Sequence, residues 1–380
     1  MTNKCLSAGS VFAGVTLTLL LFAAWASGQS PPGLQPLPPL KASPAEQVEL
    51  GKLLFFDKHL SGNGDRRCAD CHDPTKGWTD GLPLSDGYPG TKYFRNTKTV
   101  LNVAYAKVLY WDGRLDATDL PTQARDAITE SHFQNMDGRL MLERLKQKPE
   151  YVERFKTALG GEPSFGRTLT ALAVFQQSLV SRNVPLDRYL LGEAAALSDE
   201  AKQGLALFQG KAGCIQCHHG PYLSDGKPHN LGVPENPDVF TDTKRHITYR
   251  SVMKFLGVPN YMNLRRDVGY YAVSKLPQDI SKFITPSLRE VSRTAPYMHN
   301  GILPTLETVV EFYDAGGGAD PNKSPLLKPL GLSPAEKAAL MELLKSLSGD
   351  EILPPDLDRL ADPKKLPQFQ VMQDWWKAKN

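Results

Sequence analysis

Two short runs of this chain each set a pair of thiols three residues apart and follow them at once with an imidazole. They are Cys68-Ala69-Asp70-Cys71-His72 and Cys214-Ile215-Gln216-Cys217-His218. Covalent attachment of a porphyrin asks for that arrangement: two sulfurs form thioethers to the ring edge, and the adjacent His coordinates iron from one face. Each run therefore reads as a c-type haem site. Two other readings of paired cysteines fit less well. A zinc knuckle wants four ligands close in space, and these pairs lie far apart in sequence. A thioredoxin-like redox pair does not require the His.

With 380 residues, the chain is long enough for two domains with cores of their own. Its net charge of +3 is small and gives no reason to expect nucleic acid or an anionic membrane as the main partner. Of five cysteines, only Cys5 lies outside the haem runs. It falls in a segment where Lys4 is followed by an apolar stretch over residues 11–25, closed by Ala26, Ser27 and Gly28. Residues 1–28 read as a secretory signal peptide. The stretch is short for a spanning helix, so no stable membrane span is expected after cleavage, with an uncleaved anchor as the alternative. The mature chain then keeps no cysteine for a structural disulfide. Export suits the cofactor, because c-type haem is attached outside the cytoplasm, and the bacterial periplasm is the expected location.

The elements that must position these runs are mostly helical. Residues 29–42 form a Pro-rich linker. A helix then starts at Ser43-Pro44-Ala45-Glu46, with capping-box spacing and Pro at the first helical position. The same signal returns at Ser333-Pro334-Ala335-Glu336, and a further helix starts near Ser198. Gly51-x-x-Leu54-Phe55 precedes the first haem run and Gly204-x-x-Leu207-Phe208 the second, which suggests an internal duplication. Apolar residues at three- and four-residue spacing predict helices over 138–147, 151–159 and 166–181. Polar, Gly- and Pro-rich stretches at 73–96 and 219–265 read as loops over the haems. The expected class is mostly α, with two cytochrome c-like haem domains and long irregular loops. The N-terminal haem domain spans 43–195, the C-terminal one 196–350, and 351–380 is a tail.

Several stretches together resemble the di-haem cytochrome c peroxidases and the related MauG-type enzymes. They are Leu53-Leu54-Phe55-Phe56-Asp57, the first haem run, Arg95-Asn96-Thr97-Lys98-Thr99-Val100-Leu101-Asn102, Trp111-Asp112-Gly113-Arg114, Leu186-Asp187-Arg188-Tyr189-Leu190, the second haem run, Thr285-Pro286-Ser287-Leu288-Arg289, and Thr294-Ala295-Pro296-Tyr297-Met298-His299-Asn300-Gly301. The resemblance covers about residues 43 to 350. It implies that the haem on His72 meets hydrogen peroxide and that the haem on His218 handles electrons. Trp111 matches the family's bridging Trp, although a lone Trp is more often core. Asn96, Thr294 and Pro296 match a calcium site made of one Asn side chain and two carbonyls, a hard oxygen set. An Asn and a turn without metal is the plainer reading.

The second iron needs another axial ligand. The resemblance places a Met, or in MauG-type enzymes a Tyr, fourteen residues past His299, and Tyr313 stands there. Tyr313 also completes an apolar stripe with Leu306, Val309 and Val310, so packing is its alternative role, and Met298 competes for the iron. A phenolate stabilises ferric iron, whereas Met raises the potential. Many of the peroxidases cap the first iron with a His sixteen residues past the haem His; here that position is Tyr88. The first iron is thus expected to be open from the start, with Tyr88 as a further candidate ligand.

For acid–base work on peroxide the family uses a Gln and a Glu. Gln123 matches the Gln. The Glu has no clean match: counting lands on Phe133, and Glu130 and His132 are the nearby candidates. A solvated Glu and a hydrogen-bonded core His are the alternatives. His219, His229 and His246 read as surface residues. The expected activity is a di-haem oxidoreductase that reacts with hydrogen peroxide and oxidises a residue of a partner protein, with oxidising power shared by both haems and Trp111. MauG itself uses a surface Trp where this chain has Ala212, six residues before His218, so a different protein substrate or exit route is expected. The rivals are a cytochrome c peroxidase fed by a small cytochrome or cupredoxin, and a non-catalytic di-haem electron carrier.

Overall fold

The computed structural model describes residues 33–356. The signal peptide, the start of the linker and most of the tail lie outside the described residues. Among the described residues there are twelve α-helices and two sheets, each of two short antiparallel strands. The fold is mostly helical, with long irregular segments between helices. No helix among the described residues is long and apolar enough to cross a membrane.

Two helix crossings organise the chain. The Ala45–Phe55 helix packs on Phe165–Ser178, and the Asp199–Gln209 helix packs on Pro334–Lys345. Both crossings occur at a glycine. A Cβ on Gly51 would lie 2.0 Å from the Ala171 carbonyl oxygen, and one on Gly204 would lie 2.0 Å from that of Ala339. The repeated Gly-x-x-Leu-Phe is therefore one packing device used twice. The absent side chain lets the backbones meet, and Leu54, Phe55 and Phe208 bury beside the contact.

The capping signals behave differently at their two sites. At the Pro334–Lys345 helix the box forms: Ser333 Oγ accepts from the Glu336 N–H at 3.3 Å, and the Glu336 carboxylate accepts from the Ser333 N–H at 2.7 Å. At Ala45–Phe55 it does not. Pro44 takes the cap position itself, with extended ψ, and its carbonyl receives the Gln47 and Val48 N–H groups. At Asp199–Gln209 the Ser198 hydroxyl accepts from the Ala201 N–H at 3.1 Å.

One expected loop is a helix. Within 219–265 the chain forms Thr243–Phe255, capped by the Asp242 carboxylate, which accepts from the Lys244 and Arg245 N–H groups. Its sequence looks too polar for a buried helix because Arg245 turns inward and donates to the Ser85 and Tyr93 carbonyls. Tyr249, Val252 and Met253 pack with Tyr93, Phe94 and Val268 into a cluster drawn from both halves of the chain. Two larger clusters form the main cores. One is built around Leu50, Leu54, Trp78, Phe155 and Phe175. The other is built around Leu186, Leu205, Phe208, Leu340 and Leu343.

Candidate active site: two cavities and the wall between them

Each haem run opens onto its own cavity. Cys68, Cys71 and His72 line one of about 190 Å³, and Cys214, Cys217 and His218 line one of about 270 Å³. The two imidazoles are held alike. His72 Nδ1 lies 3.1 Å from the Trp78 carbonyl oxygen, and His218 Nδ1 lies 3.0 Å from that of Leu223. Both residues that offer these accepting carbonyls stand in left-handed backbone, at φ 61° and 54°. A proton fixed on Nδ1 leaves the Nε2 lone pair for a metal. Burial lowers both His values, His218 to about 4, so the rings are neutral at ordinary pH. Burial also raises the thiols, Cys68 to about 12, Cys71 to about 11 and Cys214 to about 12. Reactive redox cysteines show the opposite shift. Thiols and His on one cavity wall fit covalently bound haem.

Six residues line both cavities: Asn96, Thr97, Lys98, Thr99, Trp111 and Tyr222. Trp111 is fixed from two directions. Its indole N–H donates to the Asn96 carbonyl at 2.9 Å, and its own carbonyl accepts from the Ile284 N–H at 2.9 Å. The neighbouring Asp112 accepts from Arg95 at 2.7 Å and Arg114 at 2.9 Å, and Arg95 makes a bidentate pair with Asp267 at 2.6 and 2.8 Å. Lys98 Nζ lies 5.1 Å from the centre of the Trp111 ring. Burial pulls that ammonium down to about 8, with Asp112 opposing.

The second cavity brings together Tyr313, Met298, Asn96, Thr294 and Pro296. Tyr313 reaches it from the Leu306–Asp314 helix, and Met298 from a left-handed position at φ 72°. Burial raises the Tyr313 phenol. Asn96 Nδ2 donates to the Leu82 carbonyl at 2.9 Å, which leaves Oδ1 as the free donor atom for a cation. Ala212 lines the same cavity. So does Glu235, which sequence reasoning missed. Burial and the nearby Asp267 charge raise its carboxyl to about 7, and it accepts from the Asp267 N–H at 3.1 Å. His229 also lines this cavity and pairs with Asp225 at 2.8 Å, rather than lying free at the surface. Cys217, Asp225 and His229 set ligand atoms within 4.8 Å of one another. Cys217 belongs to the haem run, however, and a thioether is no thiolate ligand. His219 and His246 are half-buried, each with one ring nitrogen that is buried and unpaired.

In the first cavity Gln123 lines the wall from the Leu120–Thr129 helix, beside Tyr93, Tyr110, Phe133 and Gln134. Glu130 and His132 do not line it. They stand one layer back, 2.9 Å apart, and the His132 ring stacks on Tyr93 with centroids 5.2 Å apart. Tyr88 does not line the cavity either, and its hydroxyl accepts from the Asn63 N–H at 2.8 Å. Gln134 was missed. The counted position fell on its neighbour Phe133, and both side chains face the cavity.

The geometry fits two covalently bound haems, and the comparisons make the chain a di-haem oxidoreductase. Residues 45–195 match the family model described as di-haem cytochrome c peroxidase. The chain belongs to this family, whose members carry two c-type haems. It is 51% identical over 344 residues to cytochrome-c peroxidase IdrP2 of Pseudomonas sp. (strain SCT), covering 90% of this chain and 92% of the relative. It is 37% identical over 318 residues to methylamine utilization protein MauG of Methylorubrum extorquens, covering 83% and 82%. Among solved structures it resembles a MauG-like protein associated with microbial copper homeostasis, at 27% identity and a TM-score of 0.68, covering 91% of this chain and 99% of the other.

Proposed function

We propose that this enzyme reduces hydrogen peroxide to water at the first haem, starting from the diferric protein and drawing electrons through the second haem from a periplasmic redox protein. The observation that carries this reading is the position of Trp111, which borders both cavities and is fixed by hydrogen bonds at its indole and its backbone. Haem iron supplies the centre at which the O–O bond is cleaved and the electrons are stored. The chain supplies the rest. The carbonyl behind His72 keeps its Nε2 available. The Gln123 amide, with Gln134 beside it, orients peroxide on the open face. Trp111 carries charge across the wall. Glu130 and His132 act from behind Tyr93, as a proton reserve for the acid–base step. Among the described residues no His other than His72 lines the first cavity, which supports a face that is open without prior reduction. The cytochrome-c peroxidase name of relatives at about half identity supports the same reading.

A second reading is favoured by Tyr313 on the wall of the second cavity. As the second axial ligand, in place of Met298, a phenolate favours the oxidised metal. Oxidising power would then be kept for a Trp or Tyr of a partner protein, leaving by a route other than Ala212. In both readings Asn96 Oδ1 and the Thr294 and Pro296 carbonyls hold a calcium ion that stiffens the Trp111 support. Residues 1–28 direct export to the periplasm in both, ahead of haem domains over 43–195 and 196–350.

The test adds stoichiometric peroxide to the diferric protein and follows optical and EPR spectra, before and after a reduced small cytochrome or cupredoxin is supplied. The expected result is an immediate spectral change, with two donor molecules oxidised per peroxide. In Trp111→Phe the donor-dependent rate falls on the order of tenfold or more. In Tyr313→Met the second haem's potential rises. A change that persists despite the donor favours the second reading. An unchanged spectrum with both irons six-coordinate overturns both and leaves an electron carrier.

A further inference from the structure

Lys98 is the one cationic side chain among the six residues that line both cavities. Its ammonium makes no salt bridge or hydrogen bond among the described residues, and it lies over the face of Trp111, 5.1 Å from the ring centre. Asp112, the carboxylate that acts on it, is already held by Arg95 and Arg114. Lys98 is half-buried and faces both cavities; with haem filling them its ammonium would be shut off from water, where a charge without a partner is costly. A haem bound in either cavity would carry two propionate carboxylates, anions of the kind this ammonium lacks. We propose that Lys98 is an electrostatic clamp between the haems, pairing its ammonium with a haem propionate and holding a positive charge over Trp111.

The consequence concerns where charge rests. A cation over an indole face is attracted to the electron-rich neutral ring and opposes removal of an electron from it. Trp111 then passes charge without keeping it. The same positive charge, in a low-dielectric wall, favours the reduced form of the nearby iron. Lys98 acts through its neighbours and is a positioning residue. The effect on Trp111 rests on the proposed electron path. The effect on haem potential does not, since it needs only the family's two haems.

The experiment is a spectroelectrochemical titration of the haem-loaded protein without peroxide, comparing wild type, Lys98→Met and Lys98→Arg. In Lys98→Met the midpoint potential of at least one haem falls, by roughly a tenfold change in its reduction equilibrium, or about 59 mV for a one-electron couple. The propionate bands in the resonance Raman spectrum shift with it. Lys98→Arg keeps both near wild type. After peroxide, an indole-centred EPR signal grows in Lys98→Met. Unchanged potentials and propionate bands in Lys98→Met overturn the proposal, and so do equal shifts in the Met and Arg variants, which would signal packing rather than charge. Should Lys98→Met fail to load haem, Lys98→Gln removes the charge with a polar side chain and is read in the same way. A non-catalytic electron carrier would show the potential shift too, so failure of the peroxidase reading stays separate.

Discussion

Each haem-run His has one ring nitrogen committed to a backbone carbonyl, and the residues that offer those carbonyls, Trp78 and Leu223, both stand in left-handed backbone. That conformation is uncommon for large side chains. Ligand orientation is thus decided by a turn five or six residues past the His. A similar economy appears at Asp57, which closes the Leu53-Leu54-Phe55-Phe56-Asp57 stretch. Its carboxylate contacts His59 at 2.6 Å, accepts from the Tyr151 hydroxyl at 2.6 Å and lies 3.6 Å from Lys148. Burial alone would raise this group. His59, Lys148 and Tyr151 outweigh burial and hold it at about 2, against an ordinary 3.8. A depressed carboxylate stabilises the fold above its unfolded value, and that contribution is lost as pH falls through the folded value. Between about pH 4 and 2, wild type should lose on the order of 2 kcal/mol relative to Asp57→Asn. Chemical denaturation of both proteins at several pH values would show it, and parallel pH dependences would count against it.

At the scale of elements, the two glycine crossings carry the strongest constraint. Gly204→Ala places a methyl 2.0 Å from a backbone carbonyl that cannot rotate away, so the helices must separate. The expected cost is about 1–3 kcal/mol, read as a lower thermal midpoint. Gly166 is the control. It sits exposed in the Phe165–Ser178 helix, where a Cβ meets nothing within 4 Å, so Gly166→Ala leaves the midpoint unchanged or raises it. Capping boxes show why local signals need tertiary support. The Ser-Pro-Ala-Glu run caps one helix with its side chains and the other only through the Pro44 carbonyl. Thr243–Phe255 makes the converse point, since its inward Arg245 hides the helical pattern from any count of apolar residues.

Across the whole molecule, Arg95 ties sequence-distant parts around the wall. Its guanidinium is almost fully buried and joins Asp112, beside Trp111, to Asp267, more than a hundred residues on. The segment after the Pro334–Lys345 helix returns as well, with the Trp78 indole donating to the Ile352 carbonyl at 2.8 Å. Replacing Arg95 with Met leaves Asp267 buried without its partner and Asp112 with Arg114 alone. Loss of about 3–5 kcal/mol is expected, with a lower urea midpoint and slower electron exchange between the haems. A variant with an unchanged midpoint would show that the network contributes little.

Sequence alone determined the cofactor and the mostly helical class. Covalent haem attachment must be written in contiguous residues, and a glycine crossing leaves a spaced signature ahead of each haem run. The matching stretches also marked Trp111, Tyr313 and Asn96 as residues to examine. Cavity lining was decided only by tertiary structure. Gln134 faces the first cavity while Glu130 and His132 stand behind Tyr93, and Lys98 and Tyr222 both line the wall from separate stretches of chain. Spacing along a chain cannot say which side of a turn faces inward, because that depends on long-range packing and on which buried charges find partners.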